Sequence, residues 1–171
     1  WTQVGYWQNN MTLYDHTLKV TDHNWFVYFD RGNAHADLGH YGQAIEDYNK
    51  AIEIRSNYAE IYNNRGIVYA GLGHYRQAIE DFSRAIAIMG RADAYYNRGR
   101  AYFDLGHYRQ AIEDYSKAIE IKPDYEDAYI NRGAAYAQLG DANLSINDFR
   151  MAAKRGSERA KNFLRSQGIS W

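Results

Sequence analysis

The chain has no cysteine and only one proline. Without cysteine there is no disulfide framework, no thiolate nucleophile and no Cys-type zinc site. The compartment stays open, because a cysteine-free chain suits either redox environment. An excess charge of one sign is also missing, with 20 basic residues against 21 acidic ones and a formal net charge of −1. Nucleic-acid binding needs a clustered positive surface that displaces counterions, so no nucleic-acid partner is expected. No apolar run approaches the roughly 18–20 residues of a membrane span, and no secretory leader is visible. This stretch of chain is therefore not expected to touch a membrane itself. It opens on Trp1 rather than Met and reads as part of a longer product, either a cytoplasmic domain or the extracytoplasmic part of a larger membrane protein.

What is abundant is repetition. LGHYRQAIEDF at 72–82 returns as LGHYRQAIEDY at 105–115, as LGHYGQAIEDY at 38–48, and in altered form as LGDANLSINDF at 139–149. A period of 33 or 34 residues marks a solenoid of stacked units, each burying its apolar face against its neighbours. In the first half of each unit, Tyr62, Gly66 and Tyr69, then Tyr95, Gly99 and Tyr102, fall four and three apart on one helical face. Glycine inside a helix costs about 1 kcal/mol relative to alanine. Its recurrence at Gly32, Gly66, Gly99 and Gly133 implies a partner helix too close for a side chain. Leu72-Gly73 and Leu105-Gly106 end the first helix, with Gly as a left-handed cap. Ala78, Phe82 and Ala85, then Ala111, Tyr115 and Ala118, place small residues beside a ring on the second helix. Each unit is a helical hairpin.

The spacing resembles the tetratricopeptide repeat family over about residues 25–156. The third unit fits best, with Ala94, Tyr95, Asn97, Arg98, Gly99, Tyr102, Leu105, Gly106, Tyr108, Ala111, Tyr115, Ala118 and a closing Pro123. Departures are Ser56 and Gly90 at the place of the closing Pro, and Ala142 and Ser145 in the fourth unit. The resemblance implies an all-α, right-handed superhelical solenoid of antiparallel hairpins, with repeats at 25–58, 59–91, 92–125 and 126–156. Residues 1–24 form an N-terminal segment whose helix, expected over 8–20, is half of a lost repeat, with Trp7, Met11, Tyr14 and Leu18 on one face. Residues 157–171 form a capping helix, started by Ser157 with Ala160, Phe163 and Leu164 on one side, and a tail. The N-terminal half-repeat is similar to the start of the repeat array that follows the membrane part of some bacterial glycosyltransferase-like proteins.

Catalytic and metal chemistry find little support. His40, His74 and His107 recur at the hairpin turns, but equivalent residues of adjacent repeats sit a helix-packing distance of about 8–10 Å apart, too far to share one ion. Glu46-Asp47, Glu80-Asp81 and Glu113-Asp114 are adjacent on a helix and point in different directions. No enzyme activity, metal or cofactor is expected. Asn-Leu-Ser at 143–145 and Asn-Met-Thr at 10–12 fit the glycosylation pattern inside predicted helices and are read as chance matches. Arg31, Arg65, Arg98 and Arg132 stand where the family usually has Leu, matched in number by Asp47, Asp81, Asp114 and Asp148, which points to structural ion pairs. Leu is then expected to be tolerated at Arg65 or Arg98, and loss of Asp81 or Asp114 to be more damaging.

The family's inner-face positions fall here on Phe26, Phe29, Asp30, Asn33, Ala36 and Asp37, then Glu60, Asn63, Asn64, Ile67, Ala70 and Gly71. Asp93, Tyr96, Asn97, Arg100, Phe103 and Asp104 follow, then Asp127, Ile130, Asn131, Ala134, Ala137 and Gln138. Six of these are acidic and Arg100 alone is basic. Apolar groups at Phe26, Phe29, Ile67, Tyr96, Phe103 and Ile130 are expected to be exposed and to serve a partner. Asn64, Asn97 and Asn131 share one repeat position and are expected to form an amide ladder facing a peptide backbone, ending at Asp30. Similar ladders occur in the repeat array of the enzyme that adds sugar to Ser and Thr. The peptide-binding set is thus Phe29, Asn33, Asn63, Asn64, Ile67, Tyr96, Asn97, Arg100, Phe103, Ile130 and Asn131.

The resulting expectation is a non-catalytic protein-interaction module that grips an extended, neutral-to-basic segment with apolar residues. Chaperone-binding members of the family grip a C-terminal carboxylate with Lys and Arg on the inner face; the matching positions here are Phe29, Asn33, Asn64, Asp93 and Asn97, of which only the clamp's two Asn, at Asn33 and Asn64, survive, so an acidic tail is not the expected ligand. Two alternatives are a docking or regulatory region of a larger enzyme such as a glycosyltransferase-like protein, and a self-assembling scaffold that forms a homo-oligomer, for example through the apolar tail Ile169-Ser170-Trp171.

Overall fold

The structure is a computed structural model and describes residues 3–21 and 23–171, the side chains of residues 3–10 excepted. Trp7 and Asn10 therefore lie outside the described side chains. Ten helices and no strands are found among the described residues. They fall into two compact units, Trp1–Ile88 and Met89–Trp171.

The first unit holds α1 (Gln3–Val20), α2 (Trp25–Asp37), α3 (Tyr41–Ile54), α4 (Ala59–Gly71) and α5 (Tyr75–Ile88). α2 pairs with α3 and α4 with α5, while α1 lies against α2, α3 against α4, and α2 beside α4. The second unit holds α6 (Ala92–Asp104), α7 (Tyr108–Ile121), α8 (Glu126–Gln138), α9 (Ala142–Lys154) and α10 (Glu158–Ser166). α6 pairs with α7 and α8 with α9, while α7 packs on α8, α6 lies beside α8, and α10 covers α9. The expected helix over 8–20 is present and begins at Gln3, since no proline stops it.

Local chemistry accounts for the hairpins. A Cβ on Gly66 would stand 2.7 Å from Cε1 of Phe82, and one on Gly99 would stand 2.9 Å from the Tyr115 ring. The bare helix surface is what lets each ring lie flat and fully buried between Ala78 and Ala85, or between Ala111 and Ala118. Burying such a ring is worth about 1.5–3 kcal/mol, more than the glycine costs in helix propensity. At the turn, Gly73 adopts φ 76 and the His74 amide donates to the Tyr69 carbonyl at 2.8 Å, closing the helix end with a left-handed cap. The ends are tied differently: Asn24 accepts from the Val27 amide at 3.3 Å, and Ser157 from the Ala160 amide at 3.4 Å.

The paired arginines and aspartates do meet. Nε and Nη2 of Arg31, Arg65, Arg98 and Arg132 donate to both carboxylate oxygens of Asp47, Asp81, Asp114 and Asp148 at 2.6–2.8 Å. The remaining Nη1 reaches back to the preceding helix: Arg31 to Asp15 at 2.7 Å, Arg65 to Asn49, and Arg132 to Ser116 at 2.9 Å. The repeated tyrosines support the same groups, with the Arg65 guanidinium 5.8 Å from the rings of both Tyr62 and Tyr69. In α9 the place of Asn49 and Ser116 is taken by Arg150, whose Nε donates to the Ser170 carbonyl at 3.0 Å.

Burial reverses the order of sensitivity expected from sequence. The Asp81 side chain is 6% exposed and that of Arg65 18%, so the carboxylate is the deeper partner. An arginine stranded by loss of Asp81 still reaches water and Asn49, whereas a carboxylate stranded by loss of Arg65 reaches neither. Arg65→Leu is expected to cost about 3–5 kcal/mol and Asp81→Ala about 1–3 kcal/mol. The Arg65→Leu/Asp81→Ala double variant should lose clearly less than the sum, as read by urea unfolding. Equal and negligible losses in all three would make these solvated surface charges.

The first repeat carries His35 where the others carry Tyr69, Tyr102 and Tyr136. Its Nδ1 is buried with no hydrogen-bond partner among the described residues, and its Nε2 lies 3.9 Å from Asp47 Oδ2. Burial holds the imidazole below its usual range, with Asp47 and Asp15 opposing that shift and Arg31 and His40 adding to it. The unfolded chain therefore takes up a proton at about pH 6.5 that the folded one refuses, so stability falls as pH drops below that value. His35→Tyr should flatten this loss, seen as a smaller drop in Tm between neutral and mildly acidic buffer. Identical pH profiles would clear His35 of any role.

Candidate functional site

The first helices of adjacent repeats lie side by side within each unit, α2 with α4 and α6 with α8, and their shared faces carry the residues singled out from sequence. On the α2–α4 face, Phe26 is 51% and Ile67 48% exposed, as expected. Between them Asn33 Oδ1 accepts from the Tyr48 hydroxyl at 2.8 Å and from Asn64 Nδ2 at 2.9 Å. Asn63 donates to Asn64 Oδ1 at 3.4 Å. Asn33 is half-buried, and its amide nitrogen has no partner among the described residues. Partial burial pushes the Asp30 carboxyl up from its ordinary value.

Two of the apolar residues expected on this surface are core residues instead. Phe29 is 9% exposed, its ring 6.2 Å from Tyr48 and 5.8 Å from Tyr58, because the turn after α3 folds Tyr58 over it. Ile130 is 3% exposed and belongs to the cluster of Tyr129, Phe149, Ala152 and Leu164. Tyr96 is half-buried between Tyr115 and Tyr125, at 5.9 and 4.8 Å, so its ring is also engaged within the chain.

The asparagines bind neighbouring helices. Asn64 reaches back to Asn33 on α2, and Asn131 Nδ2 donates to the Tyr96 hydroxyl on α6 at 3.0 Å. Asn97 is engaged as well. What the Asn131 amide leaves open is its carbonyl oxygen, beside a hollow of about 160 Å³ lined by Arg100, Phe103, Asp104, Tyr115 and Asn131. Phe103 is half-buried with its ring edge-on to Tyr108 at 5.3 Å. Arg100 is exposed and forms no ion pair among the described residues, unlike the arginine two positions earlier in its repeat, Arg98.

A second and larger opening escaped the sequence reading. A cleft of about 430 Å³ lies at the α7–α8 turn, lined by Gly90, Arg91, Ala92, Asp93, Ile121, Lys122 and Tyr125. The signal for it was present as a difference between repeats, Trp25 in the first against Ala92 in the third. Among the described residues no group of His, Asp and Glu is placed to hold a metal ion, and no helix is long and apolar enough to cross a membrane.

Known proteins resolve the kinship. Profiles described as TPR repeat match residues 32–73 and 99–140, and profiles described as tetratricopeptide repeat match 59–89 and 126–155. A crystal structure of MamA shares 31% identity over 92% of this chain and 92% of its own, with a TM-score of 0.86. MamA from Desulfovibrio magneticus RS-1, at 20% identity over 90% and 87% and a TM-score of 0.84, shows the likeness of fold. The first TPR of Spaghetti (RPAP3), solved bound to the HSP90 peptide SRMEEVD, shares 26% identity over 68% of this chain and 93% of its own, with a TM-score of 0.66. No curated protein sequence matches. The glycine that admits a ring, the left-handed turn after it and the paired helices are thus shared features, and the chain belongs to the tetratricopeptide repeat family, whose fold serves as a protein-interaction module.

Proposed function

We propose that the chain binds an extended peptide segment, neutral to basic and carrying apolar residues, along the faces that the first helices of its repeats present. The observation that carries this reading is Ile67, a large apolar side chain on α4 that stands 48% exposed. Phe26 adds a second apolar contact on the same unit, and the Asn33 amide supplies a donor for a backbone carbonyl. On the second unit, the hollow beside Phe103 offers the Asn131 carbonyl as an acceptor for a backbone N–H. Charge adds to this: the inner-face positions of the first unit hold Asp30, Asp37 and Glu60 with no basic residue among them, and those of the second hold Asp104 and Asp127 with Arg100, which favours basic over acidic side chains. The bound acidic peptide of the RPAP3 repeat is the informative contrast, because this chain has Phe29 and Asp93 at two of the positions where chaperone-binding relatives place basic groups.

Panning of a random-peptide library tests the reading directly. Selected sequences are expected to be rich in Lys, Arg and bulky apolar residues, and SRMEEVD should bind at least about tenfold more weakly than they do. Ile67→Ser should weaken the selected peptides by about tenfold while leaving Tm unchanged, since exposed substitutions stay within about 0.5 kcal/mol. Phe29→Ala, in contrast, should unfold the chain earlier by about 3–5 kcal/mol, as a core truncation does. Selection of acidic peptides, or full binding by the Ile67→Ser variant, would sink the proposal.

A further inference from the structure

The first repeat contains a filled version of the cleft that stands open in the third. Trp25 lies against Tyr58, ring centroids 4.8 Å apart, with the Arg55 guanidinium 4.5 Å from the indole. Phe29 packs edge-on to the same Tyr58 at 5.8 Å. The third repeat rebuilds this arrangement with one change. Tyr125 stands for Tyr58, Tyr96 for Phe29 with its ring 4.8 Å from Tyr125, and Lys122 for Arg55 with its ammonium 4.8 Å from the Tyr125 ring. Where the first repeat has Trp25, the third has Ala92. Ala92, at the place of the indole, lines the cleft of about 430 Å³, which is wider than one indole needs, and the exposed Ile121 lines it too.

We propose that this cleft is a docking site for a tryptophan side chain presented by a partner protein, seated against Tyr125 and under Lys122 as Trp25 is seated against Tyr58 and under Arg55. The chain itself supplies the template for the occupant. A flat ring covers the exposed face of Tyr125 in an offset or tilted stack and offers its electron-rich surface to the ammonium, which an aliphatic side chain cannot do. The rim sets no demand for charge, since Arg91 and Asp93 pair with each other at 3.1 Å. Of the inner-face residues only Asp93 lines this cleft, and it is paired with Arg91, so the two sites stand or fall separately.

The test is a titration of the ¹⁵N-labelled full chain with N-acetyl-tryptophan amide, followed by amide chemical shifts. Saturable shifts are expected at residues 90–93 and 121–125, with N-acetyl-leucine amide binding roughly two- to fivefold more weakly, the ratio an exposed cation–π contact gives. Ala92→Trp, which supplies the indole within the chain as the first repeat does, should melt no lower than the native chain and abolish the shifts. Lys122→Ala changes only an exposed side chain and should weaken binding by the same two- to fivefold, which decides the matter if Ala92→Trp fails to fold. Absence of saturable shifts, equal affinity for the leucine probe, or unchanged binding in Lys122→Ala would overturn the assignment. A dimer in solution that Trp171→Ala dissolves, with the cleft resonances moving on dissociation, would give the site to a second copy and overturn the foreign partner.

Discussion

Each hairpin is tied by one guanidinium. Arg65 closes a two-point contact with Asp81 of its own second helix and spends its third nitrogen on Asn49 of the preceding repeat, and Arg132 joins Asp148 to Ser116 in the same way. The planar fork makes this possible, because its donors diverge in one plane and reach two helices without a change of rotamer. Leucine at this place fills space and would be indifferent to rotation of one helix about its axis. The ion pair is not, and so it sets helix register as well as adding energy. The aromatic residues are arranged around that constraint: tyrosines one turn away shield the charge, and the ring opposite the helix glycine lies beside the aspartate that anchors it. Burial pushes the Asp81 and Asp114 carboxyls up, and the arginine facing each opposes that push.

Much of this could be read from the chain. The period, the helix glycines, the turn glycines and the matched arginines and aspartates each follow from a local rule that repeats, and repetition turns a weak preference into a firm one. Depth could not be read in the same way. Phe29 and Ile67 occupy comparable faces of successive helices, yet one is covered by Tyr58 and the other is open, because cover comes from a turn and not from the helix itself. The asparagine amides posed a similar problem. Whether Asn64 points at solvent or at Asn33 depends on the separation of α2 and α4, which no spacing along the chain encodes. The cleft at Ala92 was missed for the opposite reason. A repeat pattern shows what the copies share, and the opening arises where they differ.

Departures between copies are therefore where recognition properties arise in a molecule of this kind. A shared residue maintains the hairpin. A changed one, such as Trp25 against Ala92 or His35 against Tyr69, alters what one repeat exposes or tolerates while leaving the hairpin intact. The fold accepts such changes cheaply because each hairpin touches only its neighbours.

Arg150 gives the row a direction of growth. A copy of any of the first three hairpins would present Asn or Ser to the arginine that follows it, and the seam would close as the existing ones do. A hairpin joined after α9 would instead bring its arginine against Arg150, cation against cation, at a place now satisfied by the Ser170 carbonyl. Duplication within the row is thus compatible with the chemistry of its joints, whereas extension past α9 would first require Arg150 to be replaced. One side chain sets the limit on how this architecture can lengthen over evolutionary time.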